Sequence, residues 1–492
     1  MDRGRIQRVV LATIVAACLV VPVQSWAGAQ ADKALAAVRA MVTSGEVKRD
    51  ARIKVAFKPG NINALLGPDL ELQKEWEERT GILVNARVIP QQAGVTNLKD
   101  HPDVDITVAR THEFPDLVEQ ELVEDLGPMA ARFGFEISGT GREGYVRPRL
   151  QGFYGDRLVA IPADGDVTIF YLRRDLLEDP AEKAAFRKAF GRDLVLPRTW
   201  TEYEDLVRFF HRPEKGLFGT GEERDESGGW MLWLPRYFDQ GIPARHLFNE
   251  SMRPLIDSPA GVAATESYIR IVRQSPPEIL TAGNDYSYTL PLFMQGKVFA
   301  TVNTIAAAKL FNSAASSVRG KFIAMPLPGN MVKGRLARNN LPIYGNNLVV
   351  SSKAAEKKLA FLFIMWLTDP DNSLRTVGAR GGHTDPYRWH HLTDPRIVDL
   401  YTADALKVFR DEWEIALPPG TGVPGDGDYL AVLDRNLWLA SKAEITAAEA
   451  MRRTAKEWDR ITELRGRARQ IEWLRQFYKG FAAGEAGSGP SR

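Results

Sequence analysis

The sequence predicts an α/β fold: mainly parallel sheet covered by helices. Three observations carry this expectation. Short apolar runs rich in β-branched residues alternate with amphipathic helical runs. Gly and Pro, 41 and 29 of 492 residues, punctuate the joints. The 44% hydrophobic share offsets the entropy of chain ordering, and the length suits roughly two to four domains.

Taken in order, Leu35, Val38 and Val42 recur at helical spacing and predict a helix over 32–50. A strand at 53–57 leads through the turn Lys58-Pro59-Gly60-Asn61 to an amphipathic helix over 70–80, stopped at Gly81. Strands follow at 83–89 and 104–109, then a helix at 114–122. Short strands at 158–162 and 167–171 flank Asp164-Gly165-Asp166, a polar stretch that either turns a hairpin or links two lobes. A helix over 200–210 takes Thr199 or Thr201 as its cap. The Gly- and charge-rich stretch 213–229 reads as a surface loop, and helices are expected at 231–238 and 261–273. Strands come at 298–302, 322–325 and 348–350, then a strongly apolar helix over 354–367. Residues 378–393 are irregular and rich in Gly, His and aromatics, and 418–428 form a second Gly/Pro segment. Helices at 429–439, 447–460 and 464–481 complete the chain.

Residues 1–29 read as an export signal. Arg3, Arg5 and Arg8 precede an apolar run from Val9 to Val23, and Ala27-Gly28-Ala29 offers a small-residue cleavage site. The run is shorter than the ~20 residues of a membrane span, and no later segment reaches that length uncharged. The chain is therefore expected to be periplasmic. Val15-Ala16-Ala17-Cys18 opens a second possibility, lipid anchoring through Cys18, but Leu19-Val20-Val21 stays apolar where a lipoprotein usually turns polar. Cleavage after Ala29 removes three Arg, one Asp and the only cysteine, so the 64 basic and 62 acidic residues become 61 of each. Thiol chemistry and disulfides then drop out. So even a balance also argues against nucleic-acid binding driven by counterion release.

Enzyme signatures are missing: no phosphate-binding Gly-rich loop, no His-Glu-x-x-His, no Gly-x-Ser-x-Gly. His390 and His391 are adjacent and would point opposite ways on extended chain, so neither a metal nor another cofactor is expected. Asp103 with Asp105, and Asp164 with Asp166, are the carboxylate pairs a glycoside hydrolase would need. Solvated charge and loop capping are the plainer explanation of each pair.

The order of several phrases resembles the extracellular solute-binding proteins of family 1, the maltose-binding-protein-like components of ATP-driven importers. They are Pro102-Asp103-Val104-Asp105-Ile106-Thr107; Ala160-Ile161-Pro162-Ala163-Asp164, continuing to Phe170-Tyr171-Leu172; Pro197-Arg198-Thr199-Trp200; Phe293-Met294-Gln295-Gly296-Lys297; Met325-Pro326-Leu327-Pro328-Gly329; and Gly345-Asn346-Asn347-Leu348 through Ser351-Ser352. The resemblance covers roughly residues 51–465. It implies a two-lobe periplasmic-binding-protein fold of type II, with an interlobe cleft and hinge closure. Lobe 1 would hold 51–163 and 344–411, lobe 2 would hold 164–343 and 412–482, and 483–492 would be an unstructured tail. It further implies that the chain, as a monomer, carries a small carbohydrate-like solute to the membrane permease of an ABC transporter. No bond is broken and no cofactor is used.

A sugar offers an apolar C–H face and a rim of hydroxyls, which aromatic rings and planar polar groups answer. By the resemblance, Trp230 and Trp233 fall where aromatics cover the sugar; three apart, they share a helix face that could equally be core. Asp164 and Asp166 lie at the first crossing between lobes. Arg110, Thr111 and His112 follow the third strand, whose C-terminal end should point into the cleft. Asn303 and Thr304 follow the strand after Gln295-Gly296-Lys297, and Tyr344, Asn346 and Asn347 mark the second crossing. Gly381, Gly382 and His383 sit in the irregular loop, where glycines let backbone N–H groups approach a ligand. Trp389 is a cleft wall or a loop anchor, Tyr429 a stacking aromatic, and Asn61 a polar residue after the first strand. An acidic ligand would need Arg110, Arg380 or Arg388 to converge. The alternative class is a secreted carbohydrate-active hydrolase; a sensor presenting its closed form to a receptor would use the same sites.

Overall fold

The computed structural model describes residues 28–58, 60–89, 96–241, 246–343, 345–380 and 382–486. The export segment with Cys18, and the candidates Tyr344 and Gly381, lie outside the described residues.

The strands are β1 (Arg52–Phe57), β2 (Leu83–Val88), β3 (Ile106–Ala109), β4 (Phe153–Tyr154), β5 (Arg157–Leu158), β6 (Ile161–Pro162), β7 (Thr168–Arg173), β8 (Phe218–Gly221), β9 (Val298–Thr304), β10 (Phe322–Met325), β11 (Asn330–Val332), β12 (Arg335–Ala337) and β13 (Asn347–Val350). A five-stranded sheet runs β2-β1-β3-β13-β6 and a four-stranded sheet β10-β7-β9-β8; β4-β5 and β11-β12 are ribbons. In the first sheet β1 is parallel to β2 and β3, while β13 is antiparallel to both β3 and β6. In the second, β7 is antiparallel to β10 and β9, and β8 is parallel to β9. The antiparallel strands follow from topology. β13 enters the first sheet as the chain returns from the second, and β7 enters the second as the chain leaves the first. The all-helix-crossover expectation of parallel sheet therefore holds only for β1–β3 and β8–β9.

Local chemistry explains the helix ends. Thr199 caps Trp200–Phe210 by accepting from the Glu202 N–H, and Glu202 accepts in return from the Thr199 N–H. Glu71–Thr80 ends at Gly81 with φ 75°, a left-handed position suited to glycine. Lys357–Leu367 is buried on all sides from Leu359 onward, and Ala29–Thr43 packs across it. That covering helix is shorter than the expected 32–50 because the chain turns at Ser44-Gly45.

Three expectations differ from the structure. The stretch 213–229 is not a surface loop. It contains β8 and a fully buried charge group in which the Glu222 carboxylate accepts from Tyr203 Oη at 2.6 Å, Arg224 at 2.9 Å and Arg236 at 3.1 Å. Its charges face one another, so composition misreads it as solvated. The helices Pro395–Tyr401 and Ala403–Glu414, expected with the first lobe, pack instead on Ala306–Phe311 and on β10 and β7 of the second sheet. The last helix, Arg467–Ala486, continues past the expected start of the tail and lies against Pro148–Gly152 and β4 on the first side.

The chain leaves the first sheet for the second at 163–167 and returns to it at 338–346. One side chain ties the second crossing to the start of β7 and to the end of the helix Ala403–Glu414. Asn340 donates to Thr168 O at 2.7 Å and to Glu412 Oε2 at 2.6 Å, and accepts from Thr168 N at 3.2 Å. The Leu417 N–H donates to the Asn340 carbonyl at 2.9 Å.

Candidate functional site

Between the two sheets lies a solvent-open cavity. Its walls come from the ends of the elements just described: Asn61 after β1, Arg110 after β3, Asp164 and Asp166 on the first crossing, Asn303 and Thr304 at the end of β9, Asn346 on the second crossing, and His383. Tyr286, Leu290, Ala306, Ala307 and Leu310 close the apolar side. Strand ends open here because both sheets turn their C-terminal edges toward the gap.

The crossings are held in close backbone contact. A Cβ on Gly165 would lie 2.1 Å from the Pro386 carbonyl oxygen, and one on Gly345 would lie 2.7 Å from that of Asp164. Only glycine permits this approach. The Asp385 N–H donates to Asp164 Oδ1 at 2.6 Å, and Asn346 Nδ2 donates to Asp164 Oδ2 at 2.8 Å. Asp385 in turn accepts from Tyr401 Oη at 2.9 Å and from the Ala306 N–H at 3.2 Å. Burial pushes Asp164 up to about 6 despite these donors. Burial and the neighbouring Asp164 push Asp385 up to about 7, and burial with Asp385 and Asp164 raises Asp166 well above the carboxylate range. Buried Lys309 faces all three and donates to the carbonyls of Thr384 at 3.1 Å and Val377 at 3.4 Å.

The wall after β1 and β3 is basic. Lys58 is buried and pushed down to about 8 by burial and by the charge of Arg110, while Glu113 opposes that shift. The Arg110 N–H donates to Glu113 Oε2 at 2.7 Å. Burial pushes His112 down to about 4, so it is neutral at ordinary pH.

Of the sequence candidates, Asn61, Arg110, Asp164, Asp166, Asn303, Thr304, Asn346 and His383 line one cavity together. The other described candidates are elsewhere. Trp230 is 4% exposed, meets His112 edge-on at 5.3 Å, and its N–H donates to Asp434 at 2.7 Å. Trp233 is fully buried, stacked on Tyr237 at 4.9 Å, with Nε1 donating to Thr265 Oγ1 at 2.8 Å. The whole helix Gly229–Phe238 is buried, so both indoles are core. Tyr429 is also core, its hydroxyl bonded to Thr462 at 2.8 Å. Asn347 is a buried strand residue whose amide donates to Ala109 O at 3.3 Å. Trp389 is an anchor, donating through Nε1 to Gly139 O at 2.9 Å. Gly382 packs on Ala379 and does not line the cavity. Thr111 lines a different crevice, shared with Phe477 of the last helix.

Arg388 stacks on Tyr145 and donates to Thr368 O, and Arg380 is exposed beside Asp399, so neither converges with Arg110. Asp103 is exposed beside Arg87, whereas Asp105 is buried and accepts from Lys54 N and Ala355 N. His390 and His391 bond different partners, the Pro370 carbonyl and Ser373. Tyr286 and Asp385 escaped sequence reading. The Asp285 cap before Tyr286 was the available signal for the helix Tyr286–Met294.

Carboxyl and amide oxygens, side-chain amide donors, an arginine and a half-exposed tyrosine ring converge on one cavity. That arrangement recognises a compact polar solute through paired hydrogen bonds. Among the described residues no helix is long and apolar enough to cross a membrane.

A family described as bacterial extracellular solute-binding protein matches residues 72–383. A probable amino-acid ABC transporter periplasmic-binding protein of Sinorhizobium fredii is 25% identical over 253 residues, 51% of this chain and 52% of that protein; the match thus spans about half of that relative. Among solved structures, an ABC transporter solute-binding protein of Agrobacterium radiobacter in complex with ribitol superposes with TM-score 0.70 at 18% identity, covering 84% of this chain and 98% of that one. Maltose-bound MalE3 of T. maritima gives 0.67 at 21% identity, covering 84% and 100%. A D-mannitol-bound protein of Agrobacterium vitis gives 0.66 at 17%, covering 85% and 99%. These likenesses establish the two-lobe fold of periplasmic binding proteins, and with the family match over more than half its length, the chain belongs to the bacterial extracellular solute-binding proteins.

Proposed function

We propose that this chain is the solute-binding component of an ABC importer. It takes a small carbohydrate-like solute, a sugar or polyol, in the interlobe cavity and hands it to a membrane permease. The observation that carries this reading is the convergence of Asn61, Arg110, Asp164, Asp166, Asn303 and Asn346 from both sides of one solvent-open gap. Planar carboxyl and amide groups accept and donate in pairs, as vicinal hydroxyls require, and Tyr286 offers a ring face. Structural relatives that hold ribitol, D-mannitol and maltose support the ligand class. Lobe closure would complete the site, because residues of the two walls meet one solute only when the gap narrows. The chain would act as a monomer, outside the cytoplasmic membrane, after removal of residues 1–29.

A hydrolase would need two carboxyls on opposite sides of the scissile bond. Asp164 and Asp166 stand on one segment and one wall, which favours binding. The test is thermal: a panel of neutral sugars, alditols and amino sugars at about a hundred times Kd should stabilise the fold by ~2.7 kcal/mol, read as a rise in Tm. A panel that leaves Tm unmoved, or a bound sugar recovered cleaved, refutes the reading.

A further inference from the structure

We propose that the last helix, Arg467–Ala486, is a strap between the lobes, and that it holds them at the angle described here before any solute arrives. The inference goes beyond the binding function, and the free chain alone can test it.

The helix is rooted on the second side. Arg467 donates to the carbonyls of Ser251 at 3.0 Å and Met252 at 3.1 Å, and pairs with Asp459 at 2.6 Å and Glu463 at 2.7 Å. Farther along, Tyr478 meets His246 edge-on at 4.2 Å. The same helix also reaches the first side. Trp473 lies 5.9 Å from Tyr154 of β4. Gly480 runs so close to that ribbon that a Cβ on it would lie 2.8 Å from Gly155 Cα. Arg469 and Arg465, the latter closing the preceding helix, stand 3.4 and 3.5 Å from Glu119 of Phe114–Glu119. Under the strap lies the Gly/Pro segment 418–428. It belongs to the second side, because it leads into Asp426–Ser441, which packs on Gly229–Phe238. From above, Gln470 donates to Pro424 O at 3.1 Å, and a Cβ on Gly422 would lie 2.6 Å from the Phe477 ring. From below, Tyr154 Oη donates to Gly422 O at 2.9 Å, and Asp116 accepts from the Gly425 N–H at 2.8 Å. The segment is thus clasped between first-side residues and the helix, which accounts for its lack of bulky side chains. Exposed ion pairs such as those of Glu119 add little. The buried hydrogen bonds of Tyr154 and Asp116 and the packing of Trp473 and Phe477 count for more. Contacts between two bodies break when the bodies rotate apart, so all of these favour the present angle over a wider one. A solute that needs the narrowed gap binds fully only to the fraction of chains already at that angle. The strap raises that fraction.

The test is small-angle X-ray scattering on the full chain, with calorimetry beside it. Three variants loosen the strap. Gly480→Leu wedges its end off Gly155, Tyr154→Phe combined with Glu119→Gln removes its polar ties, and a stop after Gly466 removes it whole. The first two alter only the seam and keep the test decisive if the truncated chain fails to fold, which circular dichroism reads. The free wild-type chain should scatter as the arrangement described here does, and ribitol, D-mannitol and maltose should leave its radius of gyration unchanged. Each folded variant should be more expanded when free. A probe that binds the wild type should bind the variants about tenfold more weakly, dissociate faster, and restore the wild-type radius. A free wild-type chain that is wider than described and contracts on binding overturns the inference. So do folded variants with unchanged scattering, or with unchanged or tighter binding. If none of the three probes binds the wild type, the binding function is in question, while scattering of the free chains still decides the strap.

Discussion

Asn340 ties the second crossing to the start of β7 and to Glu412, so Asn340→Ala is the sharpest perturbation of the packing beside the crossings. The residue is fully buried. Its amide donates to Thr168 O at 2.7 Å and to Glu412 Oε2 at 2.6 Å, and its carbonyl accepts from Thr168 N at 3.2 Å and Leu341 N at 2.7 Å. Alanine removes all four. A neutral bond is worth ~1 kcal/mol, one to a charged group ~2 kcal/mol. Glu412, itself fully buried, keeps Arg338 but loses its amide donor, and the Thr168 N–H and C=O are both left buried. The expected loss is ~5 kcal/mol, most of it the penalty for orphaned groups. Urea denaturation followed by circular dichroism measures it as a fall in midpoint at constant m-value. A loss under ~1.5 kcal/mol would show that the crossings are held by something else. Asn340→Asp keeps the shape but sets a second carboxyl oxygen against Glu412 and Thr168 O, and should cost at least as much.

Trp233→Ala empties a fully buried site stacked on Tyr237 and should cost ~3–5 kcal/mol of stability in the same assay; a loss under ~1 kcal/mol would return the indole to the list of ligand groups. Gly165→Ala forces the first crossing off the Pro386 carbonyl, loosening the Asp385 N–H bond to Asp164, so calorimetry should show solute affinity reduced at least about tenfold. Unchanged affinity would mean the crossing does not shape the site. Stability should fall as pH rises from about 6.5 to 8.5. Asp385 and Asp434 sit near 7 and Asp426 near 8, all pushed up chiefly by burial, against ~3.9 for an unfolded Asp. The folded chain thus keeps protons that the unfolded chain has lost, and its advantage disappears as pH passes those values. The buried histidines His112 and His391, pushed down by burial, act oppositely but only below about 6.5. Asp426→Asn should flatten the decline; a Tm that is level or rises over this range contradicts the assignment.

Local pattern reached those parts of the site that local chemistry determines. The family resemblance, laid over the local pattern, singles out Asp164 and Asp166 at the first crossing and Arg110 and Asn303 after strands, and the structure brings all four to the wall of one cavity. The aromatics were not legible. Trp230, Trp233 and Tyr429 are apolar surface on helices, and which face of a helix meets the core is decided by its neighbours; Gly229–Phe238 turned out to be buried on every side. Asp385 lay hidden for the opposite reason. It earns its place only by meeting Asp164 and Ala306 from distant sequence, with nothing in its own neighbourhood to mark it. The same holds for Ala403–Glu414, whose Glu412 sits against Asn340 on the second side, and for Glu222, Arg224 and Arg236, whose charges look solvent-bound until they pair.

A crystal structure of the chain with its tightest-binding probe tests the binding cleft most directly. The solute is expected intact between the two walls, its polar groups on Asp164, Asp166 and Asn303 and its far side toward Asn61 and Arg110. Density in the crevice beside Thr111 and Phe477 instead, or a cleaved product in the cleft, would contradict it.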